Sequence, residues 1–255
     1  MTIGSFPDDP HQRKAILVLN AHDVEKCAYE PAAAQALLDE EAFVLQLPFR
    51  VDDTSPLALR NISDSRLARS GALLVQSPYD LDAYEEVTQA PQQFALAKHM
   101  YFSSLCMLLG AKEVSVEQID LRTNTGKSTL NVKADGNKVA AELDVDRQNL
   151  EKLRAHMSLK DEFSGGPANL VSAERLLRQT GLWSDPNLRT LFEMRRGGTN
   201  QLKSRQVVLS LSSEAKSNLH VAGRLKVPSF IKLSADYKTA IHEQRDYSLT
   251  VLVRF

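Results

Sequence analysis

Histidine and cysteine are the side chains best suited to nucleophilic or metal chemistry, and this 255-residue chain has six of the first and two of the second. His22 and Cys27 lie close together after a continuous apolar run, Ala15 to Leu19. A thiol beside an imidazole can act as a nucleophile–base pair, and the end of a buried strand is a common seat for a catalytic residue. No glycine-rich loop stands nearby to supply oxyanion donors. An enzyme with a site near His22 is therefore one reading, and a helix starting at Asp23 with His22 as its cap is the other. His99 and Cys106 stand seven apart, on one face of a helix. Two ligands cannot complete a tetrahedral zinc site, and no Cys-x-x-Cys or paired-histidine spacing adds more. Neither a metal nor a cofactor is expected.

Gly126-Lys127-Ser128-Thr129 has the residue types that end a phosphate-binding P-loop. Such a loop needs a glycine five positions earlier, where Leu121 stands, and a helix afterwards whose first amides hold the phosphate. Leu130, Val132 and Ala134 alternate as a strand instead. Gly126 is expected in a hairpin turn, with Lys127 in solvent.

The most specific functional pattern is a pair of short helices, 173–196, joined by Gly181-Leu182-Trp183-Ser184-Asp185. The pair resembles a helix-turn-helix, with later strands as a wing. Its second helix would turn Asn187, Arg189 and Thr190 toward a groove and set Arg195 and Arg196 on phosphates. Leu188, Leu191 and Phe192 would face the core. Short helical hairpins that only pack are commoner.

The elements that must carry these residues follow from periodicity. Ala15–Leu19 reads as a strand buried on both faces. Pro31–Glu41 reads as a helix, Phe43–Val51 as an irregular or edge strand interrupted by Pro48, and Ala72–Gln76 as a short strand. Pro91–Leu109 is a helix with Phe94, Ala97, Tyr101, Leu105 and Leu108 on one face, and Gly110 is placed to end it. Lys112–Asp146 reads as a three-strand meander: Val114 and Val116, then Ile119 and Leu121 in opposite phase, then 130–134 and Val139–Val145. The slip at Glu117-Gln118 predicts a β-bulge. Asn149–Met157, Ala173–Thr180 and Pro186–Arg196 read as helices, the last capped by Asp185. From residue 205 onward, alternation at Val207–Leu211, at Leu219 and Val221, at Leu225 and Val227 continuing through Ile231–Tyr237, and at Tyr247–Phe255 reads as a four-strand antiparallel meander. Its outer face would carry Lys226, Lys232, Lys238, Arg245 and Arg254.

The expected class is α+β: a mixed α/β N-terminal region, then two antiparallel β-meanders of three and four strands separated by short helices. Residues 1–110 form an acidic part and 111–255 the rest, as two domains or one continuous domain. The net charge of −1 conceals a polarity along the chain: residues 1–110 carry a net −7, 111–146 a net −2 and 147–255 a net +8. Such asymmetry suggests an anionic partner, or two halves attracting each other. Two cysteines fit a reducing compartment. The first residues lack a secretory leader's basic and apolar regions, and Met100–Leu109 falls far short of the roughly 20 residues a membrane span needs. A soluble cytoplasmic protein without a transmembrane segment is expected.

Three functional readings follow. In the first, the chain is a non-enzymatic binding protein whose basic C-terminal half engages an acidic protein or other anionic partner through Arg189, Arg195, Arg196, Lys226 and Lys232. In the second, it binds nucleic acid through the helix pair 173–196. In the third, it is a pore-forming or membrane-binding protein, or an enzyme with a site near His22. A membrane barrel needs about 9–11 residues of clean alternation per strand. Gln206–Ser212 is shorter, and Ala222–Asp236 is broken by Pro228.

Overall fold

A computed structural model describes residues 5–29, 39–124, 126–132, 139–140, 144–197, 202–225, 227–228, 231 and 245–255. In chain order the elements are β1 (Ala15–Asn20), α1 (Ala21–Tyr29), β2 (Ala42–Leu47), α2 (Leu57–Asp64), β3 (Leu73–Gln76), β4 (Tyr84–Glu86) and α3 (Ala90–Leu108). Then come β5 (Glu113–Thr123), β6 (Gly126–Asn131), β7 (Val139–Ala140), α4 (Asp144–His156), β8 (Lys160–Glu162), α5 (Leu170–Gln179) and α6 (Pro186–Arg196). The chain ends with β9 (Ser204–Ser210), α7 (Ser213–Arg224) and β10 (Asp246–Arg254). Seven described helices with two mostly antiparallel sheets make the fold α+β. No described helix is long and apolar enough to cross a membrane. The chain divides into two compact units, residues 1–91 with 213–243, and residues 92–212 with 244–255.

The first unit is built on a four-stranded sheet in the order β2-β1-β3-β4. β1 lies parallel to β2, with Ala15 opposite Ala42, and antiparallel to β3. Ala15–Leu19 is buried throughout because the strand is internal and helices pack on it. Ile16 and Val18 share a core with Leu45, Ala58, Leu59, Ile62, Leu74 and Tyr84. β2 is an edge strand that stops at Leu47, before Pro48, where a missing backbone donor costs the sheet nothing. The helix expected over Pro31–Glu41 falls mostly outside the described residues.

α7 corrects the sequence reading. Leu219 and Val221 alternate as a strand would, yet 213–224 is a helix packed on β1 and β3. Its buried residues are Ala215, Asn218, Val221 and Ala222, spaced at three and four. Asn218 Nδ2 donates to Gln76 O at 3.0 Å. Arg224 donates to both oxygens of Asp39 at 2.7 and 2.9 Å and also pairs with Glu41, which Lys14 holds from the other side. The basic partners keep the Asp39 and Glu41 carboxyls below their ordinary values. Of the strand expected at Ile231–Tyr237, Ile231 is described and is buried; the rest lies outside the described residues.

The second unit holds a six-stranded sheet in the order β7-β6-β5-β10-β9, with β8 also on β5. β10 lies between β5 and β9, antiparallel to both, so strands read from sequence as two meanders share one sheet. Tyr247, Leu249, Val251 and Val253 point into the core, as their alternation requires. Thr250 faces Gln118 while Val251 faces Val116, which leaves Glu117 as the extra residue of the bulge. The third strand of the first meander is shorter than expected: β7 covers Val139–Ala140, and Asp144 and Val145 open α4.

α3 ends as Gly110 demands. Gly110 has φ +82°, its N–H donates to Met107 O, and the Ala111 N–H reaches back to Cys106 O. These are the two bonds of a Schellman stop. A Cβ at Gly110 would lie 2.1 Å from Gly166 O, so no other residue fits.

Candidate anionic-partner surface

The surface is set by α5, α6 and β9 of the second unit. Asn169 caps α5 by accepting from the Ser172 N–H at 3.1 Å, and Ala173 and Leu177 are buried. Gly181, at φ +69°, turns the chain into a short 3-10 segment, Leu182–Ser184. Asp185 then caps α6: its Oδ1 accepts from the Asn187 and Leu188 N–H groups at 2.9 and 3.3 Å. Pro186 takes the first helical position, where no N–H is needed. Leu188, Leu191 and Phe192 are buried, which matches the expected facing.

The carboxylates of this region are largely engaged within the unit. Asp185 Oδ2 takes the ammonium of Lys98, which is 2% exposed on α3 and also donates to Ser210 O at 2.7 Å. Glu174 accepts from Arg178 Nε and Nη2 at 2.9 and 2.8 Å. The Arg178 guanidinium lies 4.3 Å from the Trp183 ring centroid, and Trp183 meets Phe192 edge-on at 5.6 Å.

The arginines divide. Arg195 is buried: Nε donates to Leu109 O and Nη1 to Leu202 O, each at 3.1 Å, and the group stacks 4.2 Å from the Phe255 ring. Burial lowers its pKa. Its charge is committed to the fold, which removes it from any exposed contact. Arg189 is exposed and holds no ion pair with a described residue. Arg196 is 65% exposed, with Glu193 at 3.9 Å, a weak surface pair. Arg175 and Lys203 are exposed and Arg205 is half-buried. Residues 170–205 carry seven cations against three carboxylates. Lys226 and Lys232 lie outside the described residues.

Two other groups assigned to a groove are engaged. Asn187 Nδ2 donates to Val208 O at 3.2 Å, and Thr190 Oγ1 donates to Pro186 O at 2.6 Å. Asn187 and Lys98 thereby cover carbonyls of β9, the last strand in the sheet order.

The remaining chemistry-bearing residues are dispersed. In the first unit Asn20, not His22, caps α1, accepting from the Asp23 N–H at 2.8 Å, and the helix starts at Ala21. Asparagine accepts from free helix amides far better than its alternatives here. His22 is exposed while Cys27 is fully buried, as expected for residues five apart on a helix, about 140° around the axis. No nucleophile–base pair forms there. In the second unit Lys127 is half-exposed, 3.1 Å from Asp120 on the neighbouring strand. Gly126 pairs with Thr123 across a hairpin, and Ser128 donates to Asp146 at 3.2 Å. A strand, with no helix amides, follows Lys127.

His99 and Cys106 are both buried on α3. Burial holds the His99 imidazole below its ordinary pKa, with Asp161 pulling the other way, and pushes the Cys106 thiol well up. His99 Nε2 has no partner among the described residues. Asp161, on β8, accepts hydroxyl bonds from Ser103 and Ser158. Sequence reasoning missed this group, since nothing local ties Asp161 to a helix sixty residues earlier. Among the described residues no group of three or more side chains is placed to hold a metal ion. The chain matches no protein-family model, no curated protein and no solved structure.

Proposed function

We propose that this chain is a protein-binding module that engages an acidic partner through the exposed arginines of α5 and α6. One observation carries the reading. Asp185 and Glu174 are consumed by Lys98 and Arg178, while Arg175, Arg189 and Arg196 point outward with little compensation. Exposed, uncompensated guanidiniums favour carboxylate contacts, because the planar fork matches a carboxylate in two bonds.

A protein partner fits better than a nucleic acid. A recognition helix reads bases with several outward side chains. On α6, Asn187 and Thr190 are bonded to backbone carbonyls and Arg195 is buried, which leaves Arg189 and Arg196. Two arginines supply attraction without a reading pattern.

The test is titration of a glutamate-rich peptide and of duplex DNA at about 50 and about 200 mM salt. Salt-sensitive peptide binding that is lost in Arg189→Glu/Arg196→Glu supports the reading. Peptide binding absent at both salts overturns it. DNA binding tighter than peptide binding and lost in the same variant moves the nucleic-acid reading ahead.

A further inference from the structure

We infer that the junction of α3 and α5 receives the apolar face of an acidic amphipathic segment of the partner protein. The inference rests on the acidic-partner reading and adds the second half of the partner's chemistry. Met100 and Met107 are 58% and 50% exposed, two turns apart on one side of α3. Phe102, Leu105 and Leu109 bury the other side. Val171, in the first turn of α5, is 71% exposed. The Asn169 N–H donates to Leu108 O at 2.7 Å, which joins the start of α5 to the end of α3. Met107 and Val171 therefore flank one backbone contact.

Arg175 lies one turn beyond Val171, exposed and without an ion pair to a described residue. Scattered exposed apolar residues need no explanation, but Met107 and Val171 flanking one backbone contact, with Met100 two turns back on the same side of α3 and an arginine without an ion pair to a described residue one turn along α5, match the composition of interface cores, where methionine and arginine are enriched. Methionine also re-packs to suit different apolar partners. A purely acidic segment would leave Met100, Met107 and Val171 in water. A purely apolar one would bury Arg175 without a counter-charge, which is costly. The complementary occupant has apolar residues two helical turns apart, about 10 Å, and carboxylates along one flank.

Two synthetic peptides test this, equal in length and glutamate content, one with leucines at i, i+3 and i+7 and one with serines there. Each is titrated into the full chain and into Met100→Ser/Met107→Ser, Val171→Ser and Arg175→Glu, with melting temperature measured alongside. The leucine peptide is expected to bind wild type about tenfold or more tighter than the serine peptide. Met100→Ser/Met107→Ser and Val171→Ser should shrink that ratio at unchanged melting temperature, and Arg175→Glu should weaken both peptides. Equal wild-type affinity for the two peptides, both salt-sensitive and lost in Arg189→Glu/Arg196→Glu, overturns this inference and leaves the acidic-partner reading standing. Discrimination that survives the methionine and valine substitutions overturns the assigned location. Absence of binding by either peptide at low salt overturns both.

Discussion

Lys98, buried on α3, meets the Oδ2 of Asp185, the residue that caps α6, at 2.5 Å. One carboxylate thus satisfies the first amides of a helix and neutralises an ammonium that has no other ion pair among the described residues. Asp185 thereby ties the start of α6 to α3.

Asp185→Ala should cost about 3–5 kcal/mol, because it strands a buried cation and removes a cap. Asp185→Asn keeps an acceptor for the cap and still strands Lys98, so it should fall between wild type and alanine. Urea unfolding measures both. An alanine variant within about 1 kcal/mol of wild type would show that the pair contributes as little as a surface pair.

Arg66 ends α2 with φ +57°, its N–H on Ser63 O and the next N–H, of Leu67, on Ile62 O. That is the glycine position of a Schellman stop, filled by an arginine. Arg66→Gly should raise stability by up to about 1 kcal/mol, the left-handed cost less the extra entropy of unfolded glycine. A lower melting temperature in the variant would mean that the Arg66 side chain contributes more than its backbone costs.

Val251 is fully buried at the centre of β10, opposite Val116 and Val207. Val251→Asp should destabilise the second unit by several kcal/mol, since the carboxyl would have no partner there. Thermal melting of the variant at the wild-type temperature would contradict the facing of the strand.

What the sequence carries locally is what proved readable. The apolar run at Ala15–Leu19, Pro48 beyond an edge strand, Gly110 after α3, the Asp185-Pro186 start of α6 and the phase slip beside Glu117 each state a local requirement. α7 misled because Leu219 and Val221 fit a period of two, while the deciding residues, Ala215, Asn218 and Ala222, fit 3.6. The pairing of β5 with β10 joins segments more than a hundred residues apart, and no local pattern encodes it. The same holds for the site. The inward facing of Leu188, Leu191 and Phe192 was legible, but the fate of Arg195 is decided by Leu109, Leu202 and Phe255 from distant parts of the chain.

His99 makes stability depend on pH. Its folded pKa lies below the unfolded value, near 6.5, so the native state disfavours the proton. The sign follows: the neutral ring's contribution is complete above the unfolded value and is lost as pH falls toward the folded one. Wild type should therefore lose more stability than His99→Gln between about pH 7 and about pH 5. An imidazole titrating at the unfolded value by NMR would abolish that dependence, and one titrating above it would reverse the sign.

The acidic-partner account is tested most directly by charge reversal at the two exposed arginines of α6. Arg189→Glu/Arg196→Glu changes a solvated face and should shift the melting temperature little, since surface substitutions fall within about 0.5 kcal/mol. Calorimetric titration with a glutamate-rich peptide at about 50 mM salt should then show binding to wild type, weaker binding at about 200 mM, and none to the variant. Undiminished binding by the folded variant would contradict the account.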